Sequence, residues 1–467
     1  MIRQYALMAA LLLSVLAFAG CAKEEPAAQQ HFPTDDAIQT LIQSRVDEGR
    51  AVGVVVGLLE ADGSIRIFAA GDAGPEAQSL GERSVFEIGS VTKVFTATLL
   101  ADMVAMGKVA YDDPVAKFLP AGEVSVPTRD GKEITLLDLA THRSALPRMP
   151  DNFTPDDASN PYADYTVEQL YAFLSNHELR RDIGTVVEYS NLGVGLLGHV
   201  LARVNGSSYE ELVRERILDP LDMNNTAITL SDEMQHWLVK GHDQAGNVVS
   251  NWDIPTLAGA GALRSDIRDM LKFISANTGS AGSPLEEAMR NSHDVRASMS
   301  GNMDIGLNWI IMTAGDDKLI WHNGGTGGYH SFAGFDPNRG VGAVVLSNSS
   351  HDIDDIGLHL INSKLPLSEP SEPPAERTEV DVAADILETY VGNYPLAADF
   401  VLTITVEDAT IWAQATGQPN FQIFPESETE FFYKVVDAQI KFEIDDTGNT
   451  TGLVLHQGGA KMPAAKQ

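Results

Sequence analysis

The sequence predicts an α+β protein followed by a small all-β antiparallel domain. Strand-like runs stand near both ends of the first 365 residues, and the stretch between them has helical spacing broken by Pro and Asn turns. Beyond a proline-rich segment the pattern changes to strict alternation of apolar and polar residues.

Residues 52–59 form a valine-rich strand pattern, and 65–69 are its hairpin partner across Ala61-Asp62-Gly63-Ser64. Residues 94–106 place Phe95, Leu99 and Met103 four apart, a helical period. The stretch from about 131 to 260 mixes helical segments with turns. Residues 309–312, 319–322 and 341–348 return to strand character, so one sheet is built from distant parts of the chain. Residues 366–379 form a linker around Ser368-Glu369-Pro370-Ser371-Glu372-Pro373-Pro374. After it, Leu402, Ile404 and Val406 alternate with threonines, and Ile440, Phe442 and Ile444 alternate with Lys441 and Glu443. With the turn Asp446-Thr447-Gly448-Asn449, residues 380–467 read as an antiparallel β-domain.

Of the 467 residues, 44% are hydrophobic and 21% charged, which excludes wholesale disorder. Lys and Arg number 32 against 65 Asp and Glu, a formal charge of −33. Such a chain repels phosphate backbones, so no nucleic-acid partner is expected. A single cysteine excludes an intrachain disulfide and a Cys-based zinc site.

That cysteine has a context. Arg3 precedes an apolar run from Ala6 to Ala19, the order of a secretory signal and too short for a comfortable membrane span. Residues 1–20 are read as a signal peptide. Ala19-Gly20-Cys21 resembles a bacterial lipobox, which implies a lipidated Cys21 and a tether over 21–34. The expected location is the cell envelope or periplasm, held to a membrane through the lipid.

Chemistry concentrates in three places. In Glu87-Ile88-Gly89-Ser90-Val91-Thr92-Lys93, Ser90 and Lys93 are three apart and share a helix face, so an amine reaches a hydroxyl. A serine at a helix N-terminus also puts its own N–H where an oxyanion would develop. Read alone, the pair is more readily a helix cap and a solvated lysine. Tyr189 and Asn191 lie two apart before the helical run 192–204, with both side chains on one side of an extended turn. A phenol beside a lysine can relay a proton, and an amide can hold a substrate carbonyl. Finally, Trp321-His322-Asn323-Gly324-Gly325-Thr326-Gly327-Gly328-Tyr329 ends a strand with glycines that admit close backbone approach.

Together, in this order, these motifs resemble S-x-x-K, Y-x-N and K/H-x-G of the serine β-lactamase and penicillin-binding protein superfamily, most closely its class C-like branch. The stretch from Leu137 to Pro147, Pro220 to Thr226 and Gly259-Ala260-Gly261-Ala262-Leu263 are further landmarks, and the resemblance covers 35–365. It implies a β-lactamase/transpeptidase-like domain with an antiparallel sheet, flanking helices and an inserted helical region. It implies Ser90 as acyl-accepting nucleophile, Lys93 and Tyr189 as its base system, and Asn191, His322 and Gly324 as substrate-binding residues. The N–H groups of Ser90 and Gly325 would form the oxyanion hole. The activity implied is cleavage of an ester or amide through a Ser90 acyl-enzyme, with no metal or organic cofactor and a small-molecule, ester or D-amino-acid peptide substrate.

Two positions depart from the pattern. His322 stands where class C β-lactamases have lysine, which favours esterase or peptidase action over β-lactam hydrolysis. Ala145 stands where relatives commonly have glycine, so its loop is expected to differ. The segment after the linker resembles a lipocalin-like domain appended to some members, around Tyr390-Val391-Gly392-Asn393-Tyr394, and could serve homo-oligomerisation. The alternatives are a true class C-like β-lactamase and a non-catalytic peptidoglycan- or penicillin-binding receptor.

Other patterns are set aside. Gly193-Val194-Gly195-Leu196-Leu197-Gly198 matches a dinucleotide fingerprint without a strand before it, and is read as close helix packing. His199 is read as a satisfied histidine. His351 and His359, near Asp352, Asp354 and Asp355, are read as a solvated face.

Overall fold

The computed structural model describes residues 31–279, 282–315, 317–369, 377–397, 400–407, 409–416, 420–434, 438–445, 447–457 and 460–467. The signal-like segment and Cys21 lie outside the described residues, as does the core of the linker.

One eight-stranded antiparallel sheet organises the first part. Its order across the sheet is Ile65–Gly71, Gly53–Leu59, Val341–Ser347, His330–Asp336, Asp317–Gly325, Ile310–Ala314, Met303–Ile305 and Ala297–Ser298. Val56 pairs with Val345 and with Phe68, so the N-terminal hairpin docks directly onto the C-terminal strand. Every residue of Gly53–Leu59 and of Val341–Ser347 is buried, because helices cover both faces there. This explains why those strands read as continuous apolar runs rather than alternating ones.

On one face lie the helices Asp35–Asp47 and Asp354–Ile361, whose Ile38, Ile42, Ile356 and Leu360 bury against Val54, Val56 and Leu58. A salt bridge between Arg45 and Asp355 joins them. On the other face are Ile267–Asn277 and Thr92–Ala105, with Phe95 stacked on Phe273 at 3.9 Å. The Thr92–Ala105 helix is buried from Thr92 to Met103, as expected of a helix apolar on all sides. A lysine placed on it is therefore withdrawn from water.

The Asn191–Asn205 helix begins at a Ser190 cap and ends at Gly206, whose φ is +73°. It presses against the 258–260 turn so closely that a Cβ on Gly198 would meet Gly259 Cα at 2.9 Å, and one on Gly195 would meet Leu257 Cβ at 2.7 Å. The glycine repeat is thus a packing seam, as the sequence suggested.

The strand His330–Asp336 was not anticipated; it follows a glycine run that masks its start. Beyond the linker, eight antiparallel strands follow in chain order from Gly392–Ala397 to Ala460–Ala465. The first and last meet through Gln467 N donating to Asn393 O at 2.9 Å, which nearly closes a barrel. Tyr390, Tyr394, Leu402, Ile404, Ile440, Phe442 and Leu453 fill its core. The expected alternation holds at Leu402, Ile404, Ile440 and Phe442, whereas Ile444 is exposed. The final strand lies beyond the alternating run that signalled the domain.

Candidate active site

Ser90 occupies a tight turn, Gly89–Val91, directly ahead of the buried Thr92–Ala105 helix. The end of the strand Asp317–Gly325 runs alongside it. A Cβ on Gly324 would stand 2.1 Å from Ile88 O and 2.8 Å from Ser90 N, so this contact requires glycine. Ser331 Oγ donates to Ile88 O at 2.8 Å and pins the turn to the sheet. The Gly325 backbone N lies against Gly89 in the same way. The backbone N–H groups of Ser90 and Gly325 are thereby brought to one place.

Lys93 is 0% exposed. Its Nζ is 2.8 Å from Ser90 Oγ, 2.9 Å from Asn191 Oδ1 and 2.7 Å from Ala260 O. Two of these partners, a side-chain carbonyl and a backbone carbonyl, only accept. Burial, with the nearby Arg148 charge, holds the Lys93 pKa well below its ordinary value. A neutral amine has two N–H groups and one lone pair. In that form the two carbonyls would take the N–H groups, leaving the lone pair for the Ser90 hydroxyl.

Tyr189 and Asn191 flank Ser190, which ties their turn to the preceding loop. Ser190 Oγ donates to Pro147 O at 2.6 Å and accepts from Gly193 N at 2.9 Å. Ser190 N donates to His142 Nδ1 at 3.1 Å. The Tyr189 ring lies 4.8 Å from Lys93 Nζ, and its hydroxyl is close enough to Ser90 for that group to oppose the rise of its pKa. Burial pushes the Tyr189 pKa up to about 12, against the opposing effects of Ser90 and Arg148. The phenol therefore keeps its proton near neutrality, and the proton-accepting share of the pair falls to Lys93. Asn191 turns its Nδ2 towards Tyr162 OH, at 3.4 Å.

His322 is 1% exposed, with its ring 6.2 Å from Tyr189. Burial lowers its pKa to about 3, so it is neutral at any physiological pH. The histidine that replaces the usual lysine carries no charge here.

Three residues with no assigned role join the site. His142 packs against Tyr189 with its ring tilted by 32°, Tyr162 meets Asn191, and the Arg148 guanidinium lies 5.0 Å from the Tyr189 ring centre. His142 lies within, and Arg148 just after, the Leu137–Pro147 landmark, the one signal that could have pointed to them. Ala145 adopts φ +63°, so the loop keeps a left-handed backbone despite lacking glycine.

His199 donates to or accepts from Tyr171 OH at 2.8 Å, a satisfied histidine. His351 and His359 are half-buried and bond the carbonyls of Gln244 and Leu365, rather than lying on a solvated face. Asp352 and Asp354 instead gather around His330.

A Beta-lactamase family model matches residues 38–363, and a second, described as "Domain of unknown function (DUF3471)", matches 376–465. The D-alanyl-D-alanine-carboxypeptidase/endopeptidase AmpH of Escherichia coli (strain K12) is 30% identical over 309 residues, 60% of this chain and 77% of that protein. A Pseudomonas fluorescens beta-lactamase is 26% identical across 68% of this chain and 93% of its own length. Penicillin-binding protein 4* of Bacillus subtilis (strain 168) is 23% identical and covers 84% of this chain and 89% of that protein. A solved class C beta-lactamase superposes with a TM-score of 0.61 at 24% identity, covering 72% of this chain and 97% of that one. That likeness is one of fold. With a family model spanning more than half of its residues, the chain belongs to the Beta-lactamase family.

Proposed function

We propose that this protein is a serine acyl hydrolase that opens an ester or amide, D-amino-acid peptides included, through an acyl-enzyme on Ser90. The observation that carries the reading is the Lys93 coordination: two carbonyl acceptors and one hydroxyl around a buried amine whose pKa is held well below its ordinary value. As the Ser90 oxygen attacks the substrate carbonyl, its proton passes to Lys93 Nζ. The N–H groups of Ser90 and Gly325 receive the developing oxyanion. Tyr189, still protonated, hands a proton to the leaving group and is reprotonated by Lys93, which holds the proton taken from Ser90. Water then deacylates the enzyme by the reverse relay. Asn191 holds Lys93 and offers its amide to the acyl side of the substrate.

The neutral His322 supports ester or peptide cleavage over β-lactam turnover, because no fixed cation stands at that motif. We also propose that the chain is exported and held to a membrane through a lipid on Cys21. The order of charge, apolar run and Ala19-Gly20-Cys21 supports this.

Mass spectrometry after a fluorophosphonate tests the nucleophile. One adduct is expected on wild type and none on Ser90→Ala, which also loses hydrolysis of phenyl acetate. An adduct without turnover of any ester, D-Ala-D-Ala peptide or cephalosporin would instead favour a penicillin-binding receptor.

A further inference from the structure

Asn191 is engaged at both ends of its side-chain amide. Its Oδ1 accepts from Lys93 Nζ at 2.9 Å, so the amide cannot turn over without releasing that amine. Its Nδ2 faces two acceptors on the other side, Tyr162 OH at 3.4 Å and Met149 Sδ at 3.8 Å. Tyr162 OH in turn donates to Met149 Sδ at 3.6 Å. Two donors thus converge on one sulfur. The contacts are long and a thioether is a weak acceptor, so a substrate carbonyl displaces them at small cost.

The sulfur is held in register with the amide. Pro147 O accepts from Ser190 Oγ at 2.6 Å, and Arg148 O accepts from Leu192 N at 3.2 Å. The chain leading into Met149 is therefore tied down on either side of Asn191. Phe153 and Trp252 flank the same place, with rings 5.0 and 5.5 Å from that of Tyr162. Met149 is half-buried, within reach of a small solute. Met103, Met223, Met234, Met270 and Met289 are at most 3% exposed.

We propose that Met149 is a modification site, oxidised to the sulfoxide by hydrogen peroxide, and that the sulfoxide closes the acyl side of the catalytic centre. A sulfur lone pair attacks the peroxide, an S–O bond forms, the O–O bond breaks, and the second oxygen leaves as water. Sulfur gives up two electrons and the peroxide takes them. The new oxygen is a far better acceptor than the thioether, and the Asn191 N–H and Tyr162 O–H already point at its sulfur. With Lys93 on Oδ1, the Asn191 amide is then held firmly at both ends, and a substrate carbonyl has to compete with a sulfoxide. Reduction by two thiols reverses the change: the oxygen leaves as water, the thiols become a disulfide, and the weak acceptor returns. This inference rests on the Ser90 acyl-enzyme reading, from which Asn191 takes its part in substrate binding, and adds control of that same site.

The test treats the full chain with hydrogen peroxide, follows phenyl acetate hydrolysis, and reads the oxidation of each methionine by peptide mass spectrometry. Wild-type kcat/KM is expected to fall roughly ten-fold or more in step with oxidation of Met149, the scale of one hydrogen bond that the substrate no longer makes. The two epimer-specific methionine sulfoxide reductases, supplied with dithiothreitol, restore it. Met149→Leu, compared with its own untreated rate, keeps its activity while the exposed Met106 and Met299 still oxidise. Loss of activity in Met149→Leu to the wild-type extent overturns the proposal. So does complete oxidation of Met149 with activity intact, or a Met149 that stays a thioether under peroxide that oxidises Met106 and Met299. Failure of the underlying reading is distinct: Ser90→Ala would then hydrolyse phenyl acetate at the wild-type rate before any peroxide is added.

Discussion

The imidazole of His142 lies 4.5 Å from the ring of Tyr189, and its Nδ1 accepts the N–H of Ser190. One buried side chain thus positions both the phenol and the turn that aims it. The accepting Nδ1 puts the ring proton on Nε2, a buried atom with no partner among the described residues. His142 itself sits at φ +56°, a strained backbone for a residue with a side chain. Burial, with the Arg148 charge acting the same way, holds its pKa well below the usual value. His142→Ala is expected to lower kcat on phenyl acetate by about ten-fold or more while KM changes little, because misplacing a reacting group acts on the transition state. Steady-state kinetics checks it, and a rise in KM at constant kcat would assign His142 to substrate binding instead.

The pH profile follows from the Lys93 environment. Catalysis needs the neutral amine, so kcat/KM rises as pH climbs through the lowered Lys93 pKa and then levels. Tyr189, pushed up to about 12, leaves the plateau intact until strongly alkaline pH. With an unperturbed lysine the rise would wait for about pH 10.4. A pH–rate series on phenyl acetate should therefore show its rise well below the ordinary lysine value. Lys93→Arg, permanently charged, should lose about 10²-fold or more in kcat at every pH. A rise centred near the ordinary lysine value would contradict the buried, neutral amine.

The three motifs were legible because each is a local pattern: a hydroxyl and an amine one turn apart, a phenol and an amide two apart, glycines ending a strand. The α+β order and the alternating β-domain were legible for the same reason. Arg148, His142 and Tyr162 were not, since what makes them functional is contact with Tyr189 and Asn191 some 30 to 50 positions away. The charge state of His322 was equally hidden; its burial comes from tertiary packing, not from its neighbours in sequence. Asp352 and Asp354 read with His351 and His359 as a solvated face, but the sheet delivers His330 to the two aspartates.

Ala145 shows a backbone demand that outlasts its usual residue. At φ +63° and buried, it holds a conformation that costs a non-glycine residue about 1–2 kcal/mol. Glycine would relieve that strain but adds about 0.5–1 kcal/mol of unfolded-state entropy. Ala145→Gly is therefore expected to stabilise by about 0.5–1 kcal/mol. The urea midpoint should rise with an unchanged slope. Ala145→Val, branched at Cβ, should lower it. A midpoint lowered by glycine would show that the Ala145 methyl group contributes more by packing than its backbone costs.

Behind the strand that carries His322 and Gly324, His330 Nε2 lies 3.0 Å from Asp354 Oδ1, and Asp354 also accepts from the Asn323 amide. Burial alone would lower the His330 pKa, but the hydrogen bond and charge of Asp354, with a smaller contribution from Asp352, leave it raised. Asp354 is raised as well, chiefly by burial. A histidine pKa raised by folding contributes stability that is complete below about 6.5 and lost as pH climbs through the folded value. The cost of the buried Asp354 is constant once that carboxylate is ionised, so the slope near neutrality belongs to His330. Asp354→Asn is therefore expected to cost about 1–2 kcal/mol at pH 6, on the scale of a charged hydrogen bond, and clearly less at pH 9. Urea unfolding at the two pH values checks this. An equal loss at both would mean that Asp354 serves only as a hydrogen-bond acceptor for Asn323, and that His330 stays neutral against it.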